Sequence, residues 1–450
     1  MNKLISLLVF ITLLVLLIVT SEILAKPEKV PNKESSRSNY SIPNELRSVN
    51  EGKNGFSAEQ SRKYRQAYSG DTMVTAGNAG NYAASRLSEN LPTAVVHRYG
   101  PVSELNYSLT PQIGDVSATT ILGTMTLNEM MEDERSRFKA ITVVHKGKIV
   151  FEKYIGIRDW DNHLWASATK ILVGTLAHIA SEQGQLDLDA TVSKYLPELK
   201  GSVWENIKIS DVLHQRSGLD VSESRLGSSP EHPVSLFYAI GFGDPSLPEG
   251  LSLMDALKRV KVKQKPGVQF EYASLNTYVV TLALEKVTGK PFEDLVTEYI
   301  WSKAGMEGDG VLGLTVNGEP SSPGAFAARL RDLARFGMLF TPSWSTITNT
   351  RVVSENYFDK AKLASKEALV GNDYMSKRLI NDFAEDDFGA SYQWDAVFAD
   401  GDLYKSGRTG QALYVSPETD TVVVFYSSSY QAEVWVHAYA REIVKQTYRK

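Results

Sequence analysis

A serine and a lysine three residues apart open the stretch where chemistry is concentrated, Trp165-Ala166-Ser167-Ala168-Thr169-Lys170. The apolar-periodic run Ile171-Leu172-Val173-Gly174-Thr175-Leu176 follows at once, so the pair reads as the first turn of a buried helix. Ser167 would then sit in the field of unpaired N–H groups at a helix start. Lys170 would lie on the same face, one turn along. A hydroxyl with an amine beside it is a nucleophile with a candidate base. The spacing alone is a weak signal, because Ser-x-x-Lys arises about once or twice by chance in a chain this long. Ser136-Arg137-Phe138-Lys139 repeats it. That copy lies in a charged run before a strand, with no apolar helix behind it, and is set aside.

Such a pair needs a second proton carrier. Phe270-Glu271-Tyr272-Ala273-Ser274-Leu275-Asn276 supplies a candidate, in a turn after Pro266-Gly267 and before a helix. A tyrosine near a lysine cation can have its phenol pKa lowered, so that it takes and returns a proton. Ser274 is placed to continue the hydrogen-bond chain. The plain alternative is that Tyr272, one of 21 tyrosines, is packing at an interface. A third element is Gly407-Arg408-Thr409-Gly410-Gln411, directly before a strand. A cation there can meet a substrate carboxylate or polarised carbonyl. The strand edge can offer a backbone N–H to an oxyanion, together with that of Ser167. Lys405-Ser406-Gly407 lies just upstream as a competing register. Arg408 is preferred because Gly410-Gln411 abuts the strand, although a solvated surface loop would carry the same residues.

Composition narrows the classes. The chain has 450 residues, 42% hydrophobic and 22% charged, with a net charge of -5. This is ordinary globular material without a basic footprint, so no nucleic-acid partner is expected. The absence of cysteine removes disulfides, thiolate metal sites and a thiol nucleophile. The scattered histidines include no His-Glu-x-x-His, and no metal or cofactor is expected. His163 and His214 read as structural. No Gly-x-Ser-x-Gly elbow is present. Gly308-Asp309-Gly310-Val311-Leu312-Gly313 matches a dinucleotide fingerprint in form only and reads as loop.

Lys3 followed by the uncharged run Leu4 to Ser21 describes an export signal or N-terminal membrane anchor over residues 1–25, with Ala25 as a cleavage point. The body is therefore expected outside the cytoplasm, periplasmic or extracellular. Residues 26–115 read as a linker and irregular arm draped over the catalytic domain, broken by Gly70, Gly77, Gly80, Gly100 and Gly114.

Residues 116–450 carry the regular elements. Thr126 caps a helix from Leu127. Ala140–His145 and Ile149–Tyr154 flank a short glycine turn as a β-hairpin. The Ser167 helix ends near Gly184, and Ile209–His214 is a short helix capped by Ser210. Leu253–Val260, Tyr278–Val287, Phe292–Ala304 and Ala325–Phe340 have helical spacing. Gln411–Ser416 and Thr421–Tyr426 are two closing strands, and Gln431–Tyr448 is a last helix. Strands at both ends with helices between describe an α+β domain, with a helical lobe over roughly 175–390 inserted in the sheet lobe. A cleft between the lobes is where a site belongs.

In this order and setting, the three elements resemble those of the serine β-lactamase and penicillin-binding-protein superfamily. The nearer likeness is to class C β-lactamase-related hydrolases, which include family VIII esterases and 6-aminohexanoate-dimer hydrolases. Tyr195-Leu196-Pro197-Glu198-Leu199, Leu213-His214-Gln215-Arg216-Ser217-Gly218 and Asp332-Leu333-Ala334-Arg335-Phe336-Gly337 extend the resemblance from about 120 to 450. It implies a β-lactamase/transpeptidase-like fold, with a central antiparallel sheet flanked by N- and C-terminal helices. It implies an acylated Ser167, proton transfer by Lys170 and Tyr272, and an oxyanion hole from the amides of Ser167 and Gln411. Ser274, Arg408, Thr409 and Gly410 would hold the substrate, a small ester, amide or peptide. Ser274 stands where class C enzymes have asparagine, and Arg408 where the third motif has lysine or histidine. Both departures bear on β-lactam recognition. A D-alanyl-D-alanine peptidase and a non-catalytic binding module are the alternative expectations.

Overall fold

The computed structural model describes residues 41–449 except 75, 367–370, 372 and 431–435. The export segment and the first part of the expected closing helix lie outside these residues. Strands are numbered along the chain. Those before Ser167 are β1 (Thr93–Val96), β2 (Ser117–Thr120), β3 (Gly123–Thr126), β4 (Phe138–His145), β5 (Lys148–Tyr154) and β6 (His163–Leu164). Those after it are β7 (Gly310–Gly313), β8 (Phe326–Ala328), β9 (Phe388–Ser391), β10 (Trp394–Phe398), β11 (Leu403–Gly407), β12 (Gln411–Ser416) and β13 (Thr421–Ser427).

Seven strands form an antiparallel sheet in the order β5-β4-β13-β12-β11-β10-β9. Its two middle strands show why neighbouring residues separate into different cores, since successive side chains point to opposite faces. Leu413, Val415, Val422 and Val424 join Leu333 and Phe336 of the Leu330–Met338 helix on one face. Ala412, Tyr414, Val423 and Phe425 join Tyr439 and Ile443 of the His437–Ile443 helix on the other. The chain leaves this sheet after β5 and returns at β9, and the site helices occupy the interval. This is the α+β arrangement that the pattern of strands and helices implied, and the β-lactamase/transpeptidase-like fold that the resemblance implied.

The arm is more ordered than its composition suggested. It contains a helix, Asn78–Ser85, and the strand β1. It packs in one compact unit with the rest of the described chain. Ser108 N–H donates to Ile149 O at 2.9 Å and Thr110 N–H to Val150 O at 2.7 Å, covering the open edge of β5. β1 pairs with β7 in a second sheet, β1-β7-β8-β6, which ends at the residues before Ser167.

That second sheet accounts for two corrections. Gly310–Gly313, read as loop, is β7, because its partner β1 is distant in sequence and no local periodicity marks it. A Cβ at Gly310 would run into the Phe326 ring, which explains the glycine. Ala325–Phe340, read as one helix, splits into β8 and the helix Leu330–Met338, because residues 326–328 pair with β7 and β6. Elsewhere Ser210 does not cap its helix. Ile209–Leu213 starts after Lys208, with no side-chain cap. The residues that lead into the third element form two sheet strands, β10 and β11.

The helix carrying Lys170 runs from Lys170 to Glu182. Gly174, in its middle, faces the backbone of Tyr392 between β9 and β10, where a Cβ would run into the Tyr392 carbonyl oxygen. Gly174→Ala is therefore expected to destabilise by about 1–3 kcal/mol through overpacking, despite the better helix propensity of alanine. Denaturant unfolding measures this, and equal or greater stability would show that the contact relaxes freely.

Candidate active site

Ser167 is delivered by a short, strained connection. β6 pairs with β8, and Trp165 N–H donates to Phe326 O at 2.7 Å. Trp165 is wholly buried, its ring 4.9 Å from that of Phe326. Ala166 follows in a left-handed conformation, φ 47°, a local cost of the kind concentrated at functional sites. Residues Ala166–Thr169 then form a 3₁₀ turn that runs into the Lys170 helix. Ser167 is left half-buried, on the wall of a cavity of about 390 Å³.

Lys170 is fully buried. Its Nζ donates to Ser167 Oγ at 3.0 Å and to Pro323 O at 2.8 Å. Burial pulls the ammonium pKa down to about 8, because desolvation disfavours the charged form. The Glu223 carboxylate, 3.7 Å away, pulls it the other way.

Tyr272 sits between two lysines. Lys170 Nζ lies 5.1 Å and Lys405 Nζ 4.5 Å from its ring centre, and Lys405 Nζ donates to its hydroxyl at 3.1 Å. Burial, with the Asp395 and Glu223 carboxylates nearby, holds the phenol well above its ordinary pKa. The lowering expected from a neighbouring cation is thus reversed, because desolvation and the two carboxylates outweigh it. A hydrogen bond with Ser167 is the opposing influence. Tyr272 is held from behind by Gln215 in the loop after the Ile209–Leu213 helix. Gln215 O accepts from Glu271 N–H at 2.7 Å, and its Oε1 accepts from Ala273 N–H at 3.1 Å and Asn276 Nδ2 at 3.0 Å.

The third element falls in a different register from the one preferred on sequence. Lys405, fully buried in β11, is the cation that reaches Tyr272, and it pairs with Asp395 of β10. Ser406 donates through its N–H and its hydroxyl to the same carboxylate, at 2.9 and 2.6 Å. Arg408 is exposed and lines the cavity. Thr409 and Gly410 make the turn between β11 and β12. Thr409 O accepts from Ser429 N–H at 2.9 Å, and Gly410 packs on Ser427. Gln411 is wholly buried, its Nε2 donating to Arg408 O at 2.9 Å and to Thr409 Oγ1 at 2.8 Å. It belongs to the sheet rather than to the cavity wall. The backbone that abuts the Ser167 turn is Gly407, where a Cβ would run into Trp165 O.

Ser274 opens the helix Ser274–Thr288, four residues before the first apolar position that marked it. Its hydroxyl donates to Glu223 and lies 3.1 Å from Tyr238 Oη. Glu223, Asp395, Arg378 and Gln215 were not singled out on sequence. Arg378 lines the cavity, and its Nη2 donates to Ser406 Oγ at 2.8 Å. Gln215 lies within the Leu213–Gly218 stretch that carries the resemblance, whereas no local motif announces Glu223, Asp395 or Arg378, each of which comes from a separate element. His163 and His214 are buried and held neutral by desolvation, in line with structural roles.

The set of a hydroxyl, a depressed lysine, a protonated phenol and a second buried lysine can form and resolve an acyl intermediate. Comparisons with known proteins supply the family. The chain is 27% identical over 354 residues to 6-aminohexanoate-dimer hydrolase of Paenarthrobacter ureafaciens, covering 77% of this chain and 85% of that one. A Bacillus anthracis structure provisionally described as a 6-aminohexanoate-dimer hydrolase superposes with a TM-score of 0.69 at 20% identity, over 83% of this chain and 96% of that one. EstCE1, a hydrolase with promiscuous acyltransferase activity, superposes with a TM-score of 0.51 at 16% identity, over 72% and 96%. At such identities these two structures speak for the fold. The beta-lactamase family model matches residues 126–445, which is most of the chain and contains Ser167, Lys170, Tyr272 and Lys405, and the protein therefore belongs to the beta-lactamase family of serine hydrolases.

Proposed function

We propose that the protein is an exported hydrolase that cleaves a small ester or amide through a covalent acyl-enzyme on Ser167. The observation that carries this reading is the 3.0 Å contact between Lys170 Nζ and Ser167 Oγ on the cavity wall. Once Lys170 is neutral, the same contact runs in reverse, and the hydroxyl donates to the amine lone pair. Ser167 Oγ then attacks the carbonyl carbon, and its proton passes to Lys170. Tyr272, a phenol that keeps its proton, donates to the leaving oxygen or nitrogen as its bond to the carbonyl carbon breaks, and regains a proton from Lys170. Lys405, hydrogen-bonded to the same hydroxyl, stabilises the transient phenolate. Water then attacks the acyl carbon and gives a proton to the Lys170 amine, the bond from that carbon to Ser167 Oγ breaks, and Lys170 returns the proton to Oγ, 3.0 Å away. Export is read from the basic start and uncharged run of residues 1–25. Amino-terminal sequencing of the secreted or membrane fraction tests it, and an intact Met1 in a cytoplasmic pool would refute it.

Because Lys170 must be neutral to act, kcat/KM should rise with pH to a plateau, with the midpoint of the rise near its pKa of about 8. The Glu223 carboxylate raises that pKa, so Glu223→Gln should move the rising limb to lower pH. A limb that stays in place would remove Glu223 from the account. The reading as a whole is tested with a fluorophosphonate probe and mass spectrometry of the digest. A covalent mass on the Ser167 peptide is expected, and its absence with every acylating reagent would overturn it. Arg378 and Arg408 on the wall also suit a substrate carboxylate, which keeps a cell-wall peptidase as the second reading. Stable labelling by a fluorescent penicillin distinguishes that case.

A further inference from the structure

The cavity wall includes one residue from outside the family-matched segment. Met73, in the arm, lines the same cavity as Ser167 and is buried. It belongs to an apolar cluster with Leu164, Ala166 and Phe242, all three of which also line the cavity. The arm is locked onto this wall at several points. Tyr68 Oη donates to Phe242 O at 2.9 Å. Gly70 packs on Asp244, where an added Cβ would lie 3.3 Å from the Asp244 Cβ. Asn81, further along the arm, accepts from the buried Lys139, which also bonds His163 at 2.8 Å, four residues before Ser167. That lysine is part of the Ser-x-x-Lys copy set aside on sequence, and it serves to bind the arm to the strand that delivers the nucleophile.

The two sides of the cavity differ in chemistry. The proton donor Tyr272 stands with Tyr374, their rings 6.3 Å apart, near Arg378 and Ser406. The leaving group must meet Tyr272 Oη, so it belongs on that polar side. The apolar side at Met73, Leu164 and Phe242 is then left for the acyl group.

We infer that the arm segment 68–74 sets the length of the apolar acyl chain the site accepts, with Met73 as its stop. This rests on the hydrolase reading. It assigns to the arm a specificity role in a site whose reactive groups all come from the family-matched segment. A chain reaching the stop gains about 0.8 kcal/mol per buried methylene, which is roughly fourfold in kcat/KM for each added carbon until the pocket is full.

The test is a series of p-nitrophenyl esters from acetate to dodecanoate, with one leaving group throughout. Wild type should show kcat/KM rising with acyl length to a maximum and then falling. Met73→Ala should move that maximum to longer chains by about two carbons, since it removes a side chain of similar length. Met73→Trp should move it to shorter chains, so the test survives if one variant fails to fold. A merely structural role would lower all rates alike and leave the maximum in place. Turnover by wild type with an unmoved maximum in both variants overturns the inference and leaves the hydrolase reading standing. No ester turnover and no probe labelling by wild type overturns both.

Discussion

Ser167→Ala abolishes turnover of every substrate the wild type cleaves, together with all covalent labelling by acylating probes. The expected loss in kcat is about 10⁶-fold, the scale measured when a serine nucleophile is removed from a preorganised site. Nothing else in the cavity can take over the attack. Tyr272 Oη is a phenol held well above its ordinary pKa by burial, and Ser274 Oγ already donates to Glu223. Folding should be unaffected, because Ser167 is half-buried and alanine keeps the turn. The geometry behind it, with Ala166 at φ 47°, does not depend on the hydroxyl. Stopped assays on wild type and variant, with matched thermal unfolding, measure this. Residual turnover within tenfold of wild type would mean that the reaction runs elsewhere in the molecule.

Lys170→Met is the second large effect. The substitution keeps the buried stem and removes the amine, so kcat/KM should fall by about 10²–10⁴-fold, the usual worth of a positioned general base. Its signature is in the pH profile. The rising limb with its midpoint near pH 8 should disappear, because the group that titrates there is gone. Stability should change little. Burial already works against the Lys170 cation, and methionine satisfies an apolar site, although the Pro323 carbonyl loses its 2.8 Å donor. Lys405 makes the opposite case. It is fully buried and paired with the equally buried Asp395, and removing one partner of such a pair leaves an uncompensated charge. Activity lost at Lys405 therefore has to be separated from unfolding before it is read as chemistry. A Lys170→Met enzyme with an unchanged pH limb would transfer the role of base to another group.

Much of the candidate site was legible because its parts are local. Ser167 and Lys170 are joined by one helical turn, and an apolar run behind them marks that turn without reference to anything distant. The hairpin β4–β5 and the strands β12 and β13 follow from short β-branched and apolar runs on either side of turns. Tyr272 stood out by its place before a helix. The part of the chain that failed to read correctly is the part whose partners are remote. β1, β7 and β8 exist only because segments far apart in sequence pair with one another. Alone, Gly310–Gly313 looks like loop and Phe326–Ala328 like the start of a helix.

The third element shows the same division most sharply. Lys405 and Arg408 are both cations near a strand start, and local pattern cannot rank them. In the structure Lys405 lies within β11, where the pleat turns it inward onto Asp395 and Tyr272, whereas Arg408 opens the turn and faces solvent and the cavity. Residue parity along a strand decided between them, and parity is set by the pairing of β11 with β10 and β12. Glu223, Asp395 and Gln215 acquire their roles in the same way, through distances of 3.7 Å or less to Lys170, Lys405 and the backbone beside Tyr272. By itself the sequence picked out the candidate nucleophile, its candidate base and the class of fold, because short-range spacing encodes them. Only the tertiary structure decided the second cation, the carboxylates that tune the proton carriers and the reach of the arm into the cavity. Those depend on which distant segments are brought into contact, and that is settled by non-local pairing and burial.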